Sequence, residues 1–182
     1  MCIRDSLNLL KNFRAYSDPV EKKSFLLLLY LNESRIWKIR DLQKLEIAVD
    51  YHIMRIALRA GIVNLVNNAL ASRLQQRKSM KQSEDNEVRK AVREACGLLS
   101  KCSGHSASEI DTMLWNMGRS CCFYEHDPIC DARICHKRDR CSFVKATNYQ
   151  CPGKCIFDGL CLGSRNERYR KLWETNVYTE YY

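Results

Sequence analysis

Asp50-Tyr51-His52-Ile53-Met54-Arg55-Ile56-Ala57-Leu58-Arg59-Ala60-Gly61 reads as one helix with both ends marked. Asp50 is an N-cap residue type, whose short carboxylate can accept the backbone N–H groups that a first helical turn leaves unpaired. Gly61 is a stop signal, because glycine enters the left-handed conformation that closes many helices. Between them Ile53, Ile56 and Ala57 recur at helical spacing, and Met54 and Leu58 widen the apolar stripe.

The same reading extends outward. Residues 19–31 are predicted to be helical, with Asp18 as N-cap and Pro19 in the first turn. Lys22 and Lys23 stand near the start of that helix, and an apolar body follows. Asn32-Glu33-Ser34 interrupts it, and residues 35–48 are mixed, with Trp37 and Leu42 as expected core contacts. Further helices are predicted over 63–77 and 87–101, the second turning Val88, Val92, Leu98 and Leu99 inward. The polar stretch 78–86 between them is the best linker. Ser106 and Glu109 form a capping-box pattern, opening a helix that carries Ile110, Met113, Leu114 and Met117 and ends near Gly118. Ser164 and Glu167 repeat the pattern and predict a short basic helix to about Trp173. Only 3 Pro and 7 Gly speak against a loop-rich all-β chain. The expected fold class is all-α.

Residues 1–16 offer no usable periodicity, and Met1-Cys2-Ile3-Arg4-Asp5-Ser6 reads as a non-native start. The expected organisation is therefore 1–16 unassigned, 17–120 a helical domain, and 121–182 a cysteine-rich loop closed by the short basic helix. The net charge of +9 favours anionic partners, nucleic acid first. No run reaches the roughly 18 apolar residues of a membrane span, and no secretory signal is visible. An intracellular protein with no membrane partner is expected.

Of 11 Cys, 8 fall between Cys121 and Cys161. In a chain without an export signal, clustered cysteines point to metal ligation before disulfides. The spacing is Cys122-x7-Cys130-x4-Cys135-x5-Cys141-x9-Cys151-x3-Cys155-x5-Cys161. Four thiolates suffice for tetrahedral zinc or a cubane cluster. The Cys-x2-Cys knuckles usual for zinc are absent, which favours an iron–sulfur cluster and keeps zinc as the alternative. His105, His126 and His136 could replace a thiolate, His136 being the one to watch beside Cys135. Cys2, Cys96 and Cys102 lie outside the cluster.

Three stretches together carry a family resemblance. Ile47-Ala48-Val49-Asp50-Tyr51-His52-Ile53-Met54-Arg55 is followed by Gly118-Arg119-Ser120-Cys121-Cys122, and later by Gly153-Lys154-Cys155-Ile156-Phe157-Asp158-Gly159-Leu160-Cys161. In that order they resemble the endonuclease III-like branch of the helix-hairpin-helix base-excision DNA glycosylases, over roughly residues 18–161. The resemblance implies a helical bundle with a [4Fe–4S] loop, and a base-excision glycosylase with or without AP-lyase activity. It makes Asp50 the catalytic carboxylate, stabilising positive charge on the sugar. It makes Lys23 the Schiff-base lysine, with Lys22 as alternative. It places Cys151, Cys155 and Cys161 as ligands, with Cys122 or Cys141 as the fourth; a competing quartet is Cys122, Cys130, Cys135 and Cys141. A basic face of Arg55, Arg59, Arg165, Arg168 and Lys171 would contact DNA phosphates.

The chain departs from the family in three places. The glycine-rich hairpin turn before the lysine is replaced by Tyr16-Ser17-Asp18-Pro19-Val20-Glu21. The family's first helices have no counterpart, so the chain is expected to be truncated, with self-association through exposed apolar faces. The cysteine spacing departs from the family's Cys-x6-Cys-x2-Cys-x5-Cys. Other functional classes therefore stand beside the enzyme: a non-catalytic iron–sulfur or zinc nucleic-acid-binding module, and an N-glycosidase acting on a modified nucleoside.

Overall fold

The computed structural model describes residues 1–124, 128–130, 135 and 141–181, and their regular structure is helical. The order is α1 (Ile3–Leu10), α2 (Lys22–Glu33), α3 (Tyr51–Ala60), α4 (Asn68–Gln75), α5 (Gln82–Ser103), α6 (Ala107–Gly118), α7 (Ser142–Thr147), α8 (Leu162–Arg165) and α9 (Glu167–Arg170). Single 3-10 turns cover Arg14–Tyr16 and Leu42–Lys44. An isolated parallel bridge, Ser79 to Asn176, is the one strand-like pairing among the described residues. None of their helices is long and apolar enough to cross a membrane.

The 50–60 helix forms where its caps predict. Asp50 Oδ1 accepts from the His52 and Ile53 amides at 2.8 and 3.0 Å, and Gly61 takes φ +80°. Its position is more central than its stripe suggested. Every side chain from His52 to Arg59 is buried, the signature of a helix surrounded on all sides. α3 packs against α5, α6, α8 and α9. The main core joins Ile53, Met54, Ala57 and Leu58 to Leu74, Val92, Ile110, Leu114, Met117, Phe143 and Leu172. It draws on both sides of the 120/121 boundary. A smaller core gathers Ile3, Phe25, Leu28, Ile39, Leu45 and Ala48.

Several expectations need correcting. Ile3, Leu7 and Leu10 face the smaller core one turn apart, so residues 3–10 form an amphipathic helix where no periodicity was read. α2 starts three residues later than expected, because Asp18 builds a turn instead of capping. Its Oδ1 and Oδ2 accept from the Val20 and Lys22 amides, each at 3.0 Å, and Glu21 adopts the left-handed region at φ 58°. Leu42 is 40% exposed, and Ile39 and Leu45 take the core positions. α4 begins only at Asn68, where the Asn67 side chain supplies a cap. α5 absorbs most of the expected linker and turns Cys96 inward, leaving Leu98 62% exposed. The Ser106/Glu109 box forms as read. The Ser164 hydroxyl does not cap; it accepts from Gly159 N and donates to Cys161 O, and Asn166 caps α9. α7 lies in the cysteine segment, where no helix was expected.

Candidate catalytic cleft and cysteine centre

Asp50 sits where the extended segment 47–50 enters α3. Its Oδ1 is committed to the helix cap, while Oδ2 pairs with His52 Nδ1 at 3.0 Å. Burial alone would raise this carboxyl. The hydrogen bond and charge of His52, the Ile53 amide and the Lys22 ammonium reverse that and hold it below the ordinary range. The carboxylate is thus ionised at neutral pH and 5% exposed.

It opens into a cleft of ≈ 370 Å³ walled by α2 and α6. α2 contributes Lys22, Leu26 and Tyr30; α6 contributes Asp111, Thr112 and Trp115. The Arg119 guanidinium lies 4.5 Å from the Trp115 ring centre. Lys22, the alternative of the sequence reading, is the lysine that faces Asp50. Burial lowers its pKa, partly opposed by the Asp50 charge. Lys23 is one residue on, about 100° around the helix, and its Nζ donates to the Glu180 carbonyl at 2.7 Å. The structure brings Asp50 and Lys22 together and turns Lys23 toward the C-terminal segment.

Arg89 of α5 holds the two sides in register. It is fully buried, pairs with both Asp18 oxygens at 2.8 and 2.6 Å, and reaches the Val49 carbonyl at 3.3 Å. Asp18 in turn binds the Lys22 amide, and Val49 precedes Asp50. One guanidinium therefore fixes the backbones that carry both candidate catalytic groups. No motif pointed to it; a buried arginine is invisible until its carboxylate partner, 71 residues away, is located.

At the opposite end of α3 the cysteines gather. Cys121, Cys122, Cys130, Cys155 and Cys161 line a narrow cavity of ≈ 30 Å³ with Arg59 and Arg170. The Cys155 thiol hydrogen-bonds Cys121 and lowers its pKa. Of the expected ligands, Cys122, Cys155 and Cys161 face this cavity. Cys141 and Cys151 do not line it; Cys141 is buried in the main core as the residue before α7. Cys130, from the competing quartet, faces the cavity as well, and so does Cys121, which neither reading included. Cys135 is buried and its amide binds the Gly153 carbonyl. His126 and His136 lie outside the described residues, and His105 is exposed beside Glu109.

Arg55 and Arg59 belong to this centre and not to a phosphate-binding face, which corrects the sequence reading. Arg55 is 0% exposed; it donates to Cys122 O and Gly118 O, each at 2.8 Å, and pairs with Glu174 at 2.8 Å. Arg59 is 2% exposed, donating to Leu172 O at 2.7 Å and to Cys122 Sγ at 3.1 Å. The two arginines are one helical turn apart, so a single face of α3 grips Cys122. Arg165, Arg168 and Lys171 are exposed; Arg168 binds Asn68 and Lys171 pairs with Glu167. Gly118 has a steric reason: a Cβ there would stand 2.7 Å from the Cβ of His52.

The donors fit a thiolate-ligated group. The cavity's cysteines are soft ligands, and Arg59 Nη2 is buried beside them with no hydrogen-bond partner, a site for anionic sulfur. The cavity has room for about one or two waters, so a cluster fits only as the thiols spread. Among the described residues no three Cys, His, Asp or Glu side chains converge as ligands of one metal ion. A single zinc needs four donors at about 2.3 Å for sulfur, whereas a cubane takes each thiolate on a different iron.

No family model, no curated protein and no solved structure matches the chain.

Proposed function

We propose that the protein is a base-excision DNA N-glycosylase with AP-lyase chemistry, of the helix-hairpin-helix type. The observation that carries the reading is the meeting of Lys22 and Asp50, from separate elements, in one cleft with aromatic walls. A base flipped from a duplex would lie against Tyr30 and Trp115. As its bond to the sugar breaks, the Asp50 carboxylate stabilises the positive charge at C1′. Lys22, its ammonium disfavoured by burial, supplies the amine that attacks C1′ once its proton is lost and forms a Schiff base.

Borohydride trapping on lesion-bearing duplexes tests this. Wild type and Lys23→Ala are expected to give a covalent adduct, and Lys22→Ala none. Trapping lost only in Lys23→Ala would return the role to Lys23, and no adduct with any duplex would remove the lyase.

The cysteine centre supports the same reading. Cys122-x7-Cys130 and Cys155-x5-Cys161 resemble the outer spacings of the family's cluster, with a long insertion where the family has two residues. Cys122, Cys130, Cys155 and Cys161 would hold a [4Fe–4S] cluster, which when bound would serve as a cross-link between the end of α6 and the segment before α8. Anaerobically purified protein is expected to be brown, with a broad band near roughly 400 nm and about four irons. Cys130→Ala should lose the colour and Cys151→Ala should keep it. A colourless protein with stoichiometric zinc would overturn the iron–sulfur assignment.

A second reading, an N-glycosidase on a modified nucleoside, is favoured by one observation. The Val20 and Lys22 amides, which a duplex phosphate could take at the hairpin, are already bound by Asp18. Hydrolysis of free nucleosides with none of duplex lesions would establish it.

A further inference from the structure

The cleft holds a second carboxylate that the lysine–aspartate chemistry leaves unused. Asp111 lies on α6, which the Ser106/Glu109 capping box anchors. It lines the same cleft as Asp50 and Lys22. Its Oδ2 accepts one long hydrogen bond, 3.3 Å from the Ala48 amide, and Oδ1 has no protein partner among the described residues. Leu26, Leu29 and Trp115 wall the cleft around it, and Lys22 is the cation that shares this lining.

The geometry points to Asp111 as the general acid that protonates the departing base, and so to a neutral base, not a cationic alkylated one, as the substrate class. This rests on the glycosylase reading. A neutral base leaves as an anion unless it is protonated as the bond breaks, whereas a ring-alkylated base already carries its positive charge. The proton passes from Asp111 to a ring nitrogen or oxygen of the base. The C1′–N bonding pair goes to the base, and the positive charge left on the sugar faces Asp50. The Lys22 lone pair then forms the bond to C1′, and the ammonium proton released returns to the Asp111 carboxylate.

The surroundings suit this role. The charged and titratable groups sharing the cleft with Asp111 or acting on it are Lys22, Tyr30 and Glu33 from α2, Asp50 ahead of α3, and the Cys96 thiol from α5. Burial is the largest influence; the Asp50 charge adds to it, and the Ala48 amide and Lys22 oppose it, leaving Asp111 at about 7. Asp50 is held low in the same cleft. Two carboxyls pushed apart in this way divide acid and charge-stabilising roles between them.

The test uses the full chain on duplexes carrying single lesions: uracil, hypoxanthine and 8-oxoguanine as neutral bases, and 7-methylguanine as the cationic one. Wild type is expected to release a neutral base, with a rate that falls as pH rises above about 7, the value at which Asp111 loses its proton. Asp111→Asn should slow that release about 10²-fold and abolish the alkaline limb; Asp111→Glu should restore the limb. Melting curves confirm that each variant is folded, and Asp111→Glu carries the test if Asp111→Asn does not fold. An unchanged alkaline limb in a folded Asp111→Asn, or a limb shifted by neither variant, overturns the acid role while the glycosylase reading stands. Release of 7-methylguanine alone overturns the substrate class. Release of no base overturns the glycosylase reading, and this role with it.

Discussion

Replacing Asp50 by Asn is expected to lower base release about 10²–10⁴-fold and to keep the helix cap, with a loss of stability confined to the charge pairing with His52 and Lys22. Asparagine caps helices as well as aspartate does, and its carbonyl can take over the bonds that Oδ1 makes to the His52 and Ile53 amides. What it removes is the negative charge in the cleft. Asp50→Ala should show the same catalytic loss and also destabilise the fold by about 1 kcal/mol, the usual value of an N-cap side chain. The two variants together separate the capping role from the chemical one. Unchanged release from Asp50→Asn, measured on a duplex the wild type cleaves, would sink the glycosylase assignment.

Arg89→Met is expected to produce the largest loss of stability. It would leave Asp18 buried without its cation, and breaking such a pair from one side typically costs about 3–5 kcal/mol. For a chain of this size that lowers the melting temperature by about 10 °C. The pH dependence has a definite sign. In the wild type burial tends to raise Asp18, but Arg89 and the Val20 and Lys22 amides hold it below its ordinary value. The pair therefore stabilises the fold above about pH 4 and loses its effect as pH falls lower. In Arg89→Met only the Val20 and Lys22 amides still oppose burial, the carboxyl titrates higher than in the wild type, and protonation relieves the variant. The gap in melting temperature between the two proteins should narrow on acidification from pH 7 to about 4.5. A gap that stays constant would mean that Asp18 is not the group left uncompensated.

The sequence made the main helices legible because their signals are local. Asp50 and Gly61, or Ser106 and Glu109, specify helix ends through backbone contacts within four residues. The centrality of α3 was not legible, because its buried arginines read as surface charge until their partners, Cys122, Gly118 and Glu174, come from 63 to 119 residues away. Asp18 shows the same limit from the other side. Its residue type suits an N-cap, but pairing with Arg89 moves it four residues ahead of the helix it was expected to start. At the cleft, Asp50 was readable from its motif. The exchange of Lys23 for Lys22 depends on the rotation of α2 about its axis, which contacts with other elements decide. Among the cysteines, the family resemblance pointed to Cys122, Cys155 and Cys161, which do face the cavity, while the presence there of Cys130 and not of Cys141 and Cys151 is a matter of tertiary geometry.

The cysteines that line the cavity bracket a long piece of chain: Cys122 and Cys161 enclose 38 residues, whose only described helix is the six-residue α7. Bringing the ends of such a segment together has an entropic cost of about 3 kcal/mol, growing only slowly with length. Among its described residues, α7 is the one element whose regular backbone pairing offsets that cost. A cross-link at the cavity would shift much of the burden from folding to assembly, so the order of events matters. Apo-protein would be expected to close this segment slowly after α3 and α6 have docked, and loading would then act as a latch on a late folding step.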